Sequence, residues 1–263
     1  MVGTKWHRAS RLAMLIVLAS GASLAIAQPP APFNERDVER QTNIEDKPDI
    51  WVLDFRFKDP RLITVDIPGR GRKVVWYLWY QVINRDPKRR PHLFIPDFEL
   101  VTHDRKGVYH DRVLPTAQRA IQRLEDPTGR LDIKNSVTIA SEPIPPSPDI
   151  DDDNAFPRAV TGVATWDDVD PDANRYSIFV SGLSNGWSED DNKVIRRKTL
   201  QLNFRRVGDR YNMRSSEIKF VPPAQWIYRA TNYSRPPDKP DANKQDKAAN
   251  LFQLDPFLIN KPR

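Results

Sequence analysis

The stretch Lys73–Arg85 (KVVWYLWYQVINR) constrains the fold of this chain more than any other. Even positions carry Val74, Trp76, Leu78, Tyr80 and Val82, and odd positions carry Val75, Tyr77, Trp79 and Ile83. Both faces are apolar, and nearly every residue is β-branched or aromatic, the types that suit an extended strand. A strand with two apolar faces must be covered on both sides to remove that surface from water. The run predicts a central strand.

The rest of the body reads as further strands. Ile50–Phe57 places Trp51, Leu53, Phe55 and Phe57 on one face at period two. Asp59-Pro60 turns the chain, and Leu62–Ile67 is a second short strand. After the turn from Asp86-Pro87 to Pro91, Leu93–His103 forms another strand, and Asp104–Gly107 makes a hairpin turn with Gly107 supplying the positive φ. Val108–Val113 returns from it. Leu131–Ile139, Ala159–Trp166, Arg175–Leu183, Val194–Val207 and Tyr211–Val221 complete the strands, and Gly208-Asp209 turns between the last two. One helix is predicted over Pro115–Asp126, with Ala117, Ala120, Ile121 and Leu124 on one stripe, Pro115 at its start and Pro127 past its end. Many short strands with frequent turn signals and a single helix predict a mainly β protein, an immunoglobulin-like β-sandwich with the helix inserted between strands at about 115–126.

The ends differ from this body. Lys5, Arg8 and Arg11 precede an apolar run, Leu12–Ala27, that closes on Ala25-Ile26-Ala27. That is the layout of a secretory signal peptide at 1–27, cleaved after Ala27, with retention as an anchor as the alternative. The run is short and rich in Ala, Gly and Ser for a membrane span, and no later segment is long and apolar enough to cross one. Residues 28–49 read as a flexible linker, 50–231 as the sandwich domain, and 232–263 as a mostly disordered tail rich in Pro, Lys and Asp, in which Leu251–Ile259 could dock. The predicted location is the bacterial envelope, periplasmic or extracellular.

Composition removes several functions. The absence of cysteine excludes disulfides, thiolate metal sites, cysteine nucleophiles and lipid attachment through cysteine. Three of the 41 basic residues and none of the 35 acidic ones fall within 1–27, so export lowers the net charge from +6 to +3. That balance does not argue for nucleic acid. The small basic clusters Arg70/Arg72/Lys73, Lys88/Arg89/Arg90 and Arg196/Arg197/Lys198 serve as edge protection or as contacts to acidic polymers.

Four constellations invite a chemical reading. Gly182–Gly186 (GLSNG) matches the G-x-S-x-G nucleophile elbow, but an acidic loop follows where a helix is required, and no histidine lies after His110. Ser184 is therefore read as structural and the catalytic set as empty. His103 and His110 flank the Asp104–Gly107 turn. A tight hairpin pairs His103 with Val108 and Val101 with His110, which sets the two histidines diagonally on one face, about 7–8 Å apart between Cα atoms. With Glu99 on that face they could hold zinc, or form a polar hairpin surface.

Asp168, Asp170, Asp172 and Asn174 repeat an oxygen donor at every second position. An EF-hand starting there fails at Ala173 and Phe179, which leaves weak calcium binding or a solvated turn. Asp149 and Asp151–Asn154 form a second acidic loop. Most tryptophans sit inside strands, whereas Trp187 beside the acidic 188–192 loop is the one placed to stack on a sugar ring.

At Trp76–Asn84 (WYLWYQVIN) and again at Ser177–Gly186 (SIFVSGLSNG) the chain resembles uncharacterised exported bacterial proteins with an immunoglobulin-like sandwich. The resemblance spans roughly Ile50 to Arg229 and implies fold and location, with no catalytic residues to carry over. The leading expectation is a non-catalytic structural or interaction module whose partner is an envelope protein or polysaccharide. A carbohydrate- or calcium-binding module and a His-based metalloenzyme are the alternatives. Metal analysis of the purified protein and glycan binding with and without calcium separate these readings.

Overall fold

The computed structural model describes residues 35–38, 40–41, 43, 45–148, 157–207 and 218–230, all in the unit that begins at Asn34. The 1–27 leader, the Asp149–Asn154 loop, the Gly208-Asp209 turn and the 232–263 tail lie outside the described residues. In chain order the elements begin with β1 (Glu35–Val38), β2 (Asp54–Lys58), β3 (Arg61–Ile67), β4 (Gly71–Ile83), β5 (Asp97–Thr102) and β6 (Val108–His110). Helices α1 (Pro115–Glu125) and α2 (Ser136–Ile139) follow, then β7 (Ala159–Asp167), β8 (Arg175–Ser181), β9 (Trp187–Glu189), β10 (Ile195–Arg206) and β11 (Ile218–Ala230).

The strands form two antiparallel sheets, and the molecule is mainly β. In the first, β4 is the central strand. β2 and β3 share one of its edges end to end, β1 lies outside β2, and β7 takes the other edge. The second sheet runs β11-β10-β8-β5-β6, with β9 continuing along the β10 edge that β8 occupies.

β4 has the two covered faces its sequence demands. Trp76, Leu78, Tyr80 and Val82 join Phe55, Phe57, Phe98, Tyr176, Leu200 and Phe204 in the core between the sheets. Val75, Tyr77 and Trp79 face the other way, with Val163, and are covered by Ala117 and Ile121 of α1. The helix thus forms a third layer, carried on the connection from β6 in one sheet to β7 in the other.

Several local readings are corrected. Asp59-Pro60 does not turn the chain. The β2–β4 pairing Phe57↔Tyr80 gives way to Arg61↔Tyr77 in β3–β4, so 54–67 is one strand direction with an extra residue inserted, a β-bulge at the proline. Residues 35–38, inside the segment read as a linker, form a strand paired with β2.

Leu131–Ile139 is not a strand, because Asn135 starts α2 instead. Its side chain accepts from Val137 N and Thr138 N, and Thr138 Oγ1 accepts from Asn135 N, a complete capping box. Leu124 is exposed, and Glu125 takes the inward position of α1 beside Ala117 and Ile121. The last strand does not stop at Val221. It passes through Pro222-Pro223, tolerated because β11 is an edge strand and the register shifts there.

Candidate binding cleft

The G-x-S-x-G pentapeptide is a strand excursion. β8 pairs with β10 through Val180↔Leu200, and β9 resumes on the same edge at Trp187↔Arg197. Between them Gly182–Asn185 leaves the ladder and reaches the segment that leads into β2, while Gly186 O still accepts from Lys198 N of β10 at 2.9 Å. Leu53 N donates to Leu183 O at 2.8 Å, Trp51 N donates to Asn185 Oδ1 at 2.8 Å, and the Ser184 hydroxyl donates to Trp51 O at 2.7 Å. Gly182 is required here. Its φ is 90°, and a Cβ would stand 2.1 Å from the carbonyl oxygen of Ile95.

This tie forms one wall of a cleft of about 640 Å³. Its lips are apolar and open to solvent: Leu93 and Ile95 from the run before β5, Val113 after β6, and Val137 on α2. Ile95 and Val137 are 63% and 69% exposed, Ile95 directly beside the buried Phe94. Polar groups converge beneath them. Asp111 is anchored between the sheets: its N donates to Phe98 O, its Oδ1 accepts from Thr165 N at 2.6 Å, and its Oδ2 accepts from the Ser136 hydroxyl.

Burial pushes the Asp111 carboxyl above its ordinary range, against the pull of those hydrogen bonds. Asp97 is raised too, first by burial, with His110 opposing and Glu99 adding. His110 Nδ1 lies 4.0 Å from Asp97 Oδ1. The cleft can hold apolar side chains at its lips and exchange hydrogen bonds at its floor.

The cleft therefore contains both Ser184 and His110, which sequence order had kept apart. The serine proton, however, goes to the Trp51 carbonyl, and Ser184 Oγ accepts from Gly186 N at 3.0 Å. Both bonds hold the backbone excursion in shape.

Comparison with protein-family models, with curated proteins and with solved structures found no match to this chain.

The histidine pair expected on one hairpin face is corrected by the register. Val108 pairs with Val101 and His110 with Glu99, two residues away from the tight-hairpin pairing. The turn is longer because Thr102 closes it, accepting at Oγ1 from Gly107 N at 2.7 Å. Lys106, with φ 47°, takes the left-handed position, and Gly107 instead makes room for the Tyr109 ring. His103 is left beside β8, its Nε2 2.7 Å from Ser177 Oγ, while His110 turns to Asp97. Glu99 is engaged by Arg229. Among the described residues no three His, Asp or Glu side chains are grouped to hold a metal ion.

The acidic repeat is matched by cations. Asp168 meets Lys73 Nζ at 2.9 Å and Arg70, and Asp172 meets Arg105 at 2.9 Å. Asp170 Oδ1 closes a turn by accepting from Asp172 N, and Asn174 N donates to Asp104. The four residues lie along the connection between β7 and β8, with the three aspartates tied to surrounding basic and backbone groups and Asn174 held through its backbone. Trp187 is exposed, as its sequence position suggested, but Lys47 Nζ sits 3.2 Å above its ring.

Leu93, Ile95, Asp97 and Asp111 were not singled out as site residues from sequence. One signal was available: Leu93-Phe94-Ile95 is apolar at both parities yet ends on Pro96, which cannot extend a ladder by donating. An apolar run that cannot be buried on both faces leaves one of them exposed.

Proposed function

We propose that this protein is an exported, non-catalytic immunoglobulin-like β-sandwich that binds an extended, apolar segment of an envelope protein in the cleft beside the GLSNG tie. The immunoglobulin-like reading rests on strand order. Taking β2/β3, β4 and β7 as A, B and E, and β5, β8 and β10 as C, F and G, reproduces the A-B-E and C-F-G neighbours of that fold. Export rests on the three-part leader at 1–27. Mass spectrometry of the protein from envelope fractions is expected to find Gln28, or its cyclised form, at the N-terminus. An intact Met1 overturns it.

The observation that carries the binding role is the convergence of Leu93, Ile95, Val113 and Val137, all exposed, on one cleft. A peptide suits it better than a polysaccharide, because its lips are aliphatic. Trp51 lies within it with one ring face already stacked on His92, centroids 4.4 Å apart. Photo-crosslinking from a benzophenone amino acid at Val137 in living cells tests the proposal. A discrete adduct lost in Ile95→Asp supports it. The same adducts from a probe at Leu124, exposed on α1, overturn it.

A further inference from the structure

The register of the second sheet sets three cations in one row. Arg205 of β10 stands opposite Arg175 of β8 on one side and opposite Lys219 of β11 on the other. All three side chains are exposed, and among the described residues none takes part in an ion pair. Adjacent strands lie about 4.8 Å apart, so three positive charges span about 10 Å. Like charges directly opposite in a sheet are destabilising. Several other arginines of this fold do meet carboxylates, as with Arg70 and Asp168, Arg105 and Asp172, and Arg196 and Asp190. A cationic row that opposes folding suits an anionic partner.

The adjoining row supplies hydrogen-bonding groups. The Ser177 hydroxyl donates to Asn203 Oδ1 at 2.6 Å, and Gln201 Nε2 donates to the same oxygen at 2.9 Å. His103 Nε2 lies 2.7 Å from Ser177 Oγ, and its backbone N donates to Arg175 O. With the serine proton directed to Asn203, His103 donates to Ser177 Oγ from Nε2. Phe179, the aromatic residue of these rows, carries the Arg229 guanidinium 4.1 Å from its ring centroid. An unoccupied aromatic platform for stacking bases is therefore missing among these residues, which argues against single-stranded nucleic acid.

We propose that this face of the second sheet binds an anionic glycan, with Arg175, Arg205 and Lys219 meeting its carboxylates or sulfates and the neighbouring His103, Gln201 and Asn203, held by the buried Ser177, meeting its hydroxyls. Arginine forks suit such planar or multi-oxygen anions. The site shares no residue with the cleft and stands independently of it.

Titration of the full chain with polygalacturonate, dextran sulfate, neutral dextran and oligothymidylate tests this. The Arg175→Gln/Arg205→Gln/Lys219→Gln variant is compared with Arg119→Gln/Arg123→Gln/Arg130→Gln, which removes equal charge from exposed positions on and just after α1. Wild type is expected to bind at least one anionic glycan and not dextran, with polygalacturonate against dextran sulfate distinguishing carboxylate from sulfate. The row variant should lose about tenfold or more in affinity, and the control variant less than about threefold. Relief of repulsion should leave the row variant's denaturation midpoint at or above that of wild type. Equal losses in both variants, tighter binding of oligothymidylate, no binding of either anionic glycan, or a clearly lowered midpoint in the row variant overturns the proposal.

Discussion

Lys58 and Glu125 meet at 3.0 Å beneath helix α1, each side chain only 2% exposed. Arg61 and the Tyr77 hydroxyl donate to the other carboxylate oxygen, at 2.8 and 2.7 Å. The Lys58 ammonium also lies 4.0 Å from the Trp79 ring centroid. The bulge at Asp59-Pro60 and the inward turn of Glu125 thus serve one purpose, docking the helix layer through a single carboxylate. Burial lowers the Lys58 pKa against the attraction of Glu125, and raises that of Tyr77.

Removing that carboxylate takes the ion-pair partner from the buried Lys58 and the acceptor from the buried Tyr77 hydroxyl. Glu125→Ala is expected to cost about 3–5 kcal/mol, the usual penalty for breaking a buried pair from one side. Lys58→Met should cost less, because Arg61 and Tyr77 still satisfy Glu125. Urea denaturation of the two variants checks the order. A Glu125→Ala midpoint equal to that of wild type would show that the cluster does not hold α1 in place.

Asp97 and Asp111, held above their ordinary value of 3.8 by burial, set a pH dependence. A carboxyl whose folded pKa is raised binds its proton more tightly in the folded state. Its contribution is full below pH 3.8 and is lost as pH rises through the folded value. Asp111→Asn keeps the shape and cannot ionise. Its stability relative to wild type should therefore rise with pH above about 3.8 and then level off. A difference that stays flat across this window would contradict the buried position of the carboxyl.

The GLSNG tie predicts two unequal mutants. Gly182→Ala forces a Cβ against the Ile95 carbonyl at φ 90° and should cost more than about 2 kcal/mol. Ser184→Ala loses the bonds to Trp51 and Gly186 and should cost about 1–2 kcal/mol. Neither wild type nor Ser184→Ala should label with a fluorophosphonate. Stoichiometric labelling lost in the mutant would make the serine a nucleophile.

Trp76 and Trp79 lie on opposite faces of β4, one in each apolar layer, and both are buried. Truncating either to alanine is expected to cost about 3–5 kcal/mol, as for other large aromatics. Chemical denaturation of the two single mutants provides the check, and an unchanged midpoint in both would remove β4 from the centre of the fold.

What could be read in advance follows from how local the causes are. β4 and α1 were visible because burial on two faces, or on one helical stripe, writes itself into residues two to four apart. The G-x-S-x-G match was legible as a turn, but its role as a tie needed Trp51, more than a hundred positions earlier. The His103/His110 register was misread because Thr102, not glycine, closes the turn. The cleft was invisible for a similar reason: Ile95 precedes β5, Asp111 follows β6, and Val137 lies on α2, more than twenty residues further on. Their meeting depends on the tertiary arrangement, which no short window records.

The helix layer sits on the chain between β6 and β7, so it can dock only after the strand it covers has been made. Until then Val75, Tyr77 and Trp79 form an open apolar stripe on the first sheet, beside the strong β formers of the same strand. Two nascent copies meeting through that stripe would aggregate rather than complete the fold. Glu125, the residue that draws α1 down, is thereby a guard against self-association as well as a stabiliser of the finished molecule.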